Sequence, residues 1–99
     1  MKGYVIANVD VADAEGYEGY RSRTREIIER YGGRFLVRGG KVTVLEGDPG
    51  IGRFVVLEFP SPGDARAFYE SPDYQEIVPI RTRNSSGTFF MVEGYADDE

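Results

Sequence analysis

The sequence predicts an α+β fold built on an antiparallel four-stranded sheet, and three observations predict it. Segments with the two-residue alternation of strands stand at both ends and in the middle of the chain. Helix starts marked by a capping side chain, twice followed by proline, stand between them. The two patterns follow one another in the order β-α-β-β-α-β.

Tyr4–Val11 (YVIANVDV) alternates in part and is rich in β-branched residues, which reads as the first strand. Asp13 can cap a helix, and Glu15 and Glu18 follow where the helix dipole favours negative charge. Tyr17, Tyr20, Thr24, Ile27, Ile28 and Tyr31 recur at helical spacing, while Arg21, Arg23, Arg25, Glu26 and Glu29 face elsewhere. Gly32-Gly33 stops this helix, one glycine taking the left-handed conformation beyond the C-cap.

Arg34–Arg38 and Lys41–Glu46 are both strand-like, separated by Gly39-Gly40, and glycine within a strand marks a bulge or bend. Gly47–Gly52 (GDPGIG) reads as a turn, and Arg53–Phe59 (RFVVLEF) is the strongest strand signal. A turn centred between Pro49 and Gly50 sets Glu46 opposite Arg53 and Lys41 opposite Glu58, two pairs that would fix the register.

Pro60 ends that strand. Ser61-Pro62-Gly63-Asp64 supplies an N-cap, a proline at the first helical position and an acid in the first turn, followed by inward Ala65, Phe68 and Tyr69. Ser71-Pro72-Asp73 repeats the signal, opening a short helix with Tyr74, Ile77 and Val78, which Pro79 is expected to kink or end. Thr88–Tyr95 (TFFMVEGY) is the last strand, and Asp97-Asp98-Glu99 a frayed acidic tail.

This order is the ferredoxin-like pattern, with both helices on one face of the sheet. Alternation places Phe54, Val56, Phe89 and Met91 on one side and Val55, Leu57, Phe90 and Val92 on the other. Both sides are apolar, which an antiparallel sheet does not require. The simplest cover for the second side is the same sheet of another copy, so a homodimer with sheets packed face to face is expected.

The 99 residues suffice for one domain spanning 1–99. The absence of cysteine and histidine excludes disulfides, thiol nucleophiles, Cys- or His-built metal sites, a histidine base and a histidine-ligated haem. No metal and no cofactor are therefore expected. A net charge of −5 opposes general attraction to nucleic acid or anionic lipid. The opening MKGYVIANVDVADAEG is too short and polar for a signal peptide or membrane span, which points to a cytoplasmic protein. Neither RGG at Arg38–Gly40 nor GDPGIG has the spacing of a phosphate loop.

Arg38 and Glu58 each place a charge within or at the end of an apolar strand. As catalytic candidates, Arg38 would bind a carboxylate and Glu58 would act as a general base, its pKa raised by partial burial. The structural alternative pairs Glu58 with Lys41 or an arginine at the sheet rim. Tyr17, Tyr20, Tyr69 and Tyr74 on inward helix faces would line a pocket for a planar ligand, or simply pack. Arg81 and Arg83 would complement a helix dipole or bring positive charge to a pocket mouth. The ligand-binding candidates are Tyr20, Gly39, Tyr69, Ser71, Tyr74 and Arg81, Ser71 reading equally as a helix cap.

YGGRFLVRGG at Tyr31–Gly40, LEG at Leu45–Gly47, R-x-VVLEFPS at Arg53–Ser61, A-x-x-FYESPDYQ at Ala65–Gln75 and VEG at Val92–Gly94 stand in order. Together they resemble the bacterial family catalogued as domain of unknown function 1330, over essentially the whole chain. Gly32, Gly33, Arg38, Gly39, Gly40, Gly47, Glu58, Tyr69, Ser71, Tyr74 and Arg81 carry the family pattern; Phe68 departs from it, replacing the usual Trp. The resemblance implies a dimeric α/β-barrel and no established reaction. Its wider superfamily includes cofactor-free monooxygenases, haem-degrading enzymes and lactone isomerases, a likeness of fold rather than of function. Two functions stay open: a cofactor-independent enzyme for proton transfer or oxidation of a small anionic or aromatic metabolite, and a non-catalytic homodimer that binds a metabolite or a protein.

Overall fold

A computed structural model describes residues 1–96; the acidic tail expected over 97–99 lies outside the described residues. The chain forms β1 (Gly3–Val11), α1 (Ala14–Arg30), β2 (Arg34–Arg38), β3 (Arg53–Phe59), α2 (Pro62–Glu70), α3 (Pro72–Asn84) and β4 (Ser85–Glu93). The sheet order is β2-β3-β1-β4 with every neighbouring pair antiparallel, the ferredoxin-like arrangement that the order of elements predicts.

Local chemistry sets the helix boundaries. The Asp13 carboxylate accepts the Gly16 N–H at 3.1 Å, and the Ser61 hydroxyl accepts the Asp64 N–H at 3.1 Å. The Ser71 hydroxyl accepts the Tyr74 N–H at 3.1 Å while donating to the Phe68 carbonyl at 2.8 Å, so one buried serine closes α2 and opens α3. Gly32 ends α1 at φ +79°, its N–H and that of Gly33 returning to the carbonyls of Glu29 and Ile28. Gly33 has a further reason to be glycine: a Cβ there would overlap the Phe59 ring.

The helices cover one face of the sheet. Val5, Ala7, Val9, Leu57 and Phe59 from the strands meet Tyr20, Ile27, Ile28, Phe68, Tyr74 and Ile77 from the helices, all buried. The opposite face carries Ile6, Phe54, Val56, Phe90 and Val92 around Tyr4, Asn8 and Glu58. Among the described residues no helix covers it, and Phe90 is 48% exposed.

Four expectations need correction. First, Val55 and Leu57 share the helix-covered face with Phe89 and Met91, because Val5 stands opposite both Leu57 and Met91; Phe54 and Val56 go with Phe90 and Val92. Alternation says which residues of one strand share a face, whereas pairing register decides which rows join. Second, Lys41–Glu46 forms no strand: β3 pairs with β2 instead, so Glu58 stands opposite Arg34 rather than Lys41. The segment is an exposed arm, with Leu45 89% exposed. Its returning end is clipped to the open face by Asn8, whose amide N–H donates to the Gly50 carbonyl at 3.1 Å and whose amide oxygen accepts from Gly52 N–H at 2.9 Å.

Third, α3 runs through Pro79 to Asn84. The proline removes one backbone hydrogen bond, but ending the helix there would forfeit the burial of Arg81 on its last turns. Fourth, β4 begins at Ser85, opposite Val11, and ends at Glu93, because the long central β1 offers it a partner along its whole length.

Candidate functional site

The covered face contains a cavity between α1 and the sheet. Val5, Ala7, Val9, Val55, Leu57 and Phe68 form its apolar floor; Tyr17, Tyr20, Arg21 and Thr24 of α1 form one wall, and Phe35, Arg38 and Arg53 stand at the strand ends opposite. The enclosed space is about 30 Å³, enough for a water or two, and reaches about 460 Å³ counted out through the mouth. Arg21 is exposed and Arg38, Arg53, Phe35 and Phe89 are half-buried, so these residues form the mouth.

A hydrogen-bonded chain backs the α1 wall. Nη1 of Arg81 donates to the Tyr74 hydroxyl at 2.9 Å, and the Tyr74 and Tyr20 hydroxyls lie 2.6 Å apart. The guanidinium of Arg81 sits over the Phe89 ring at 3.9 Å, a contact that holds its fork flat against β4. Burial pushes the hydroxyls of Tyr17, Tyr20 and Tyr74 above the ordinary tyrosine range, Tyr20 furthest; around Tyr17 the charges of Arg53, Arg81 and Arg38 pull the other way. All three are neutral hydrogen-bonding groups at neutral pH.

The arginines divide into two sets. Arg21, Arg23, Arg30, Arg34 and Arg66 each have a carboxylate within 4.0 Å. Arg25, Arg38, Arg53, Arg81 and Arg83 have none among the described residues, although the protein carries net charge −5. Of these, Arg38 and Arg53 line the cavity while Arg81 backs it. Burial, followed by the neighbouring charges of Arg21, Arg25 and Arg53, holds the Arg38 pKa below its usual value. Positive charge from Arg38 and Arg53 is thus gathered at one apolar mouth, with no carboxylate within 4.0 Å of either among the described residues.

The backbone of β2 aims Arg38 at this mouth. Phe35 pairs with Leu57 and Arg38 with Val55, but the register shifts between Phe35 and Val37. This bulge puts Phe35 and Arg38, three residues apart, on the same face. The Arg38 guanidinium lies 4.2 Å from the centre of the Phe35 ring, and its Nη2 donates to the Arg21 carbonyl at 2.9 Å. Gly39 follows at φ +68°, with its N–H on the Phe54 carbonyl at 2.8 Å; a Cβ there would come 2.7 Å from Nη1 of Arg53. Glycine at this position brings the two arginines together.

Of the residues singled out from sequence, Tyr20 and Arg38 line the cavity, Tyr74 and Arg81 join it through the hydroxyl chain, and Gly39 shapes its mouth. Tyr69 packs on the far side of Tyr74 with ring centres 5.7 Å apart, and Ser71 is occupied by its two capping bonds. Glu58 is not brought to the cavity. It points to the open face, where it accepts from Nε of Arg34 at 3.0 Å and from the Tyr4 hydroxyl at 3.2 Å. The bond from Arg34 first, with that from Tyr4, holds its pKa below the usual carboxylate value, the opposite of the expected rise. Among the described residues no carboxylate lines the cavity. Among the described residues no three acidic side chains gather closely enough to hold a metal, and no helix is long and apolar enough to cross a membrane.

Sequence reasoning missed Arg53 and passed over Phe35 and Thr24. Arg53 was assigned to a partner in the arm, yet it alternates in phase with Val55, Leu57 and Phe59. A cation leading an otherwise apolar, core-facing row is the signal that would have found it.

A family model described as "Domain of unknown function (DUF1330)" matches residues 2–95. The chain belongs to this family. No curated protein matches it in sequence. Among solved structures, RPA0582, a protein of unknown function from Rhodopseudomonas palustris, is 19% identical with a TM-score of 0.71, over 96% of this chain and 83% of that one. SnoaB, a cofactor-independent oxygenase from Streptomyces nogalater, is 14% identical with a TM-score of 0.65, over 96% and 94%. A structure described as an antibiotic biosynthesis monooxygenase is 20% identical with a TM-score of 0.52, over 97% and 100%. At these identities the likeness shows that this DUF1330 chain shares their fold.

Proposed function

We propose that this DUF1330 protein binds a small anion with an apolar or aromatic body in the cavity between α1 and the sheet. The observation that carries this reading is the gathering of Arg38, Arg53 and Arg81 around an apolar, tyrosine-lined cavity with no carboxylate in reach among the described residues. Arg38 and Arg53 would grip the anionic group, the tyrosines would donate to it, and the aliphatic floor would take the body of the ligand. Specificity would come from the fork geometry of arginine and from the narrowness of the floor.

The binding is tested by thermal unfolding in the presence of small carboxylates and phenols. A ligand at 100 times its Kd stabilises the native state by about 2.7 kcal/mol, several degrees for a chain of this size. Arg38→Ala should leave the unliganded protein folded and abolish that shift. An unchanged shift in the variant would remove Arg38 from the site.

We also propose that the protein is a homodimer through its open sheet face, where Ile6, Val56, Phe90 and Val92 form an apolar surface. Whether the bound molecule is also turned over separates an enzyme from a binder. The fold shared with SnoaB favours a cofactor-independent reaction, and the cavity offers hydrogen-bond donors and positive charge rather than a base. A substrate would therefore lose its proton to water.

A further inference from the structure

The protons of the Arg81–Tyr74–Tyr20 chain can be assigned. A guanidinium only donates, so at 2.9 Å Tyr74 accepts from Arg81. Tyr74 is 0% exposed, and its only other side-chain hydroxyl contact is Tyr20 at 2.6 Å. If Tyr20 donated to Tyr74, the single Tyr74 proton would be buried without an acceptor, at a cost of about 1–3 kcal/mol. Tyr74 therefore donates to Tyr20.

One proton is then left over. The Tyr20 hydroxyl has no further hydrogen-bond partner among the described residues, and Tyr20 is 7% exposed and lines the cavity. Its ring packs at its edge against Tyr17 and Tyr74, which limits its choice of rotamer. The chain runs in one direction, from a fixed cation through two hydroxyls to a donor with nothing to donate to. Each link polarises the next, so the terminal O–H is a stronger donor than an isolated tyrosine. Two further cations, Arg38 and Arg53, stand across the same mouth.

From this polarity, and resting on the anion-site reading above, we propose that the cavity selects the oxyanion form of a small phenol or enol, with Tyr20 donating to the charged oxygen. Tyr74 and Arg81 are positioning residues that act through Tyr20. The groups lining the cavity around that oxygen are Tyr17, Tyr20, Arg21, Arg38 and Arg53, with Arg81 behind Tyr74; Arg21 is paired with Glu18, and among the described residues no carboxylate lines the cavity. Such a site makes ionisation of the ligand easier without removing the proton itself, which passes to bulk water. It differs from a plain carboxylate clamp because it acts on a group that titrates near neutrality.

The probe is 4-nitrophenol, whose phenolate has its own visible absorption, with 4-nitroanisole as the neutral isostere. Titrating protein-bound 4-nitrophenol by absorbance should give an apparent pKa about one unit below that of the free molecule, a roughly tenfold preference for the phenolate. Tyr20→Phe keeps the ring and should abolish most of that shift. Tyr74→Phe should reduce it by weakening the donor, and Tyr4→Phe on the open face should leave it unchanged. The ligand's spectrum reports on the bound oxygen, so a merely structural change does not mimic the result; Tyr74→Phe carries the test should Tyr20→Phe fail to fold. A shift that survives Tyr20→Phe would overturn this inference while leaving the anion site standing, whereas binding of 4-nitrophenol with an unshifted pKa would overturn both. Equal affinity for 4-nitroanisole and 4-nitrophenol at alkaline pH, or no binding of either, would overturn both.

Discussion

On the helix-covered face of the sheet, Val5, Ala7, Val9, Leu57 and Phe59 are sealed from water, and Arg38 and Arg53 reach it with no carboxylate partner among the described residues. On the open face, Ile6, Val56, Phe90 and Val92 lie uncovered, and Arg34 is matched to Glu58 at 3.0 Å. One sheet thus buries its apolar row and leaves its charges unsatisfied on one side, and does the reverse on the other. The difference teaches where each side's missing partner is to be sought. An unneutralised cation beside an apolar floor needs a small anion, whereas an uncovered apolar row with settled charges needs another apolar surface.

Substitutions can break or sharpen this contrast. The largest effect is expected from Phe68→Ala, which empties space beneath Phe59 and Tyr74, with ring centres 5.2 and 4.4 Å away; it should cost about 3–5 kcal/mol in urea unfolding. Gly33→Ala should cost about 1–3 kcal/mol by driving a methyl group into the Phe59 ring, although the position also reads as part of a simple helix stop. Phe90→Asp should change the stability of the individual chain by less than about 0.5 kcal/mol while converting a dimer to a monomer in sedimentation. Unfolding by Phe90→Asp would show that the open face supports the fold itself, and the contrast would be lost.

The smallest effect is expected at Glu58. Its pKa is depressed in the folded state, chiefly by Arg34, so its contribution to stability is complete above the unfolded carboxylate value and disappears as pH falls through the lower folded value. Glu58→Gln should therefore lower the urea midpoint slightly at about pH 7, with the difference from the parent protein shrinking as pH falls below the unfolded carboxylate value. A loss of ligand-induced stabilisation in this variant would connect the two faces, which the geometry keeps apart.

Where a feature is fixed by neighbours in sequence, it was legible. The caps at Asp13, Ser61 and Ser71, the stop at Gly32 and the strand at Arg53–Phe59 all depend on contacts within a few residues, and the order of these elements carries the fold. Features fixed by distant pairing were not legible. Lys41–Glu46 alternates like a strand, but a strand requires a partner, and β3 had already taken β2. Glu58 reads as a charge in an apolar strand whichever side it faces, and only the pairing with Tyr4 and Arg34 shows that it faces away from the cavity. At the candidate site, Tyr20 and Tyr74 were found on inward helix faces and Arg81 as a cation near a helix end, whereas the phase of Arg53 with Val55, Leu57 and Phe59 was masked by its expected pairing with Glu46.

The register shift between Phe35 and Val37 has a consequence for how such a site can be gained or lost. The side of the sheet on which Arg38 emerges depends on whether the extra residue of β2 is taken up in the bulge or paired in the ladder. Were β2 to pair without interruption at its present length, Leu36 would stand opposite Val56 and Val37 opposite Val55, and the guanidinium of Arg38 would emerge on the side where Glu58 and Asn8 stand. Deleting Leu36 would remove the extra residue and leave Arg38 opposite Val55. The bulge here works as a selector for charge: absorbing one residue outside the ladder keeps a cation at a cavity that regular pairing of the same residues would send to the exposed surface.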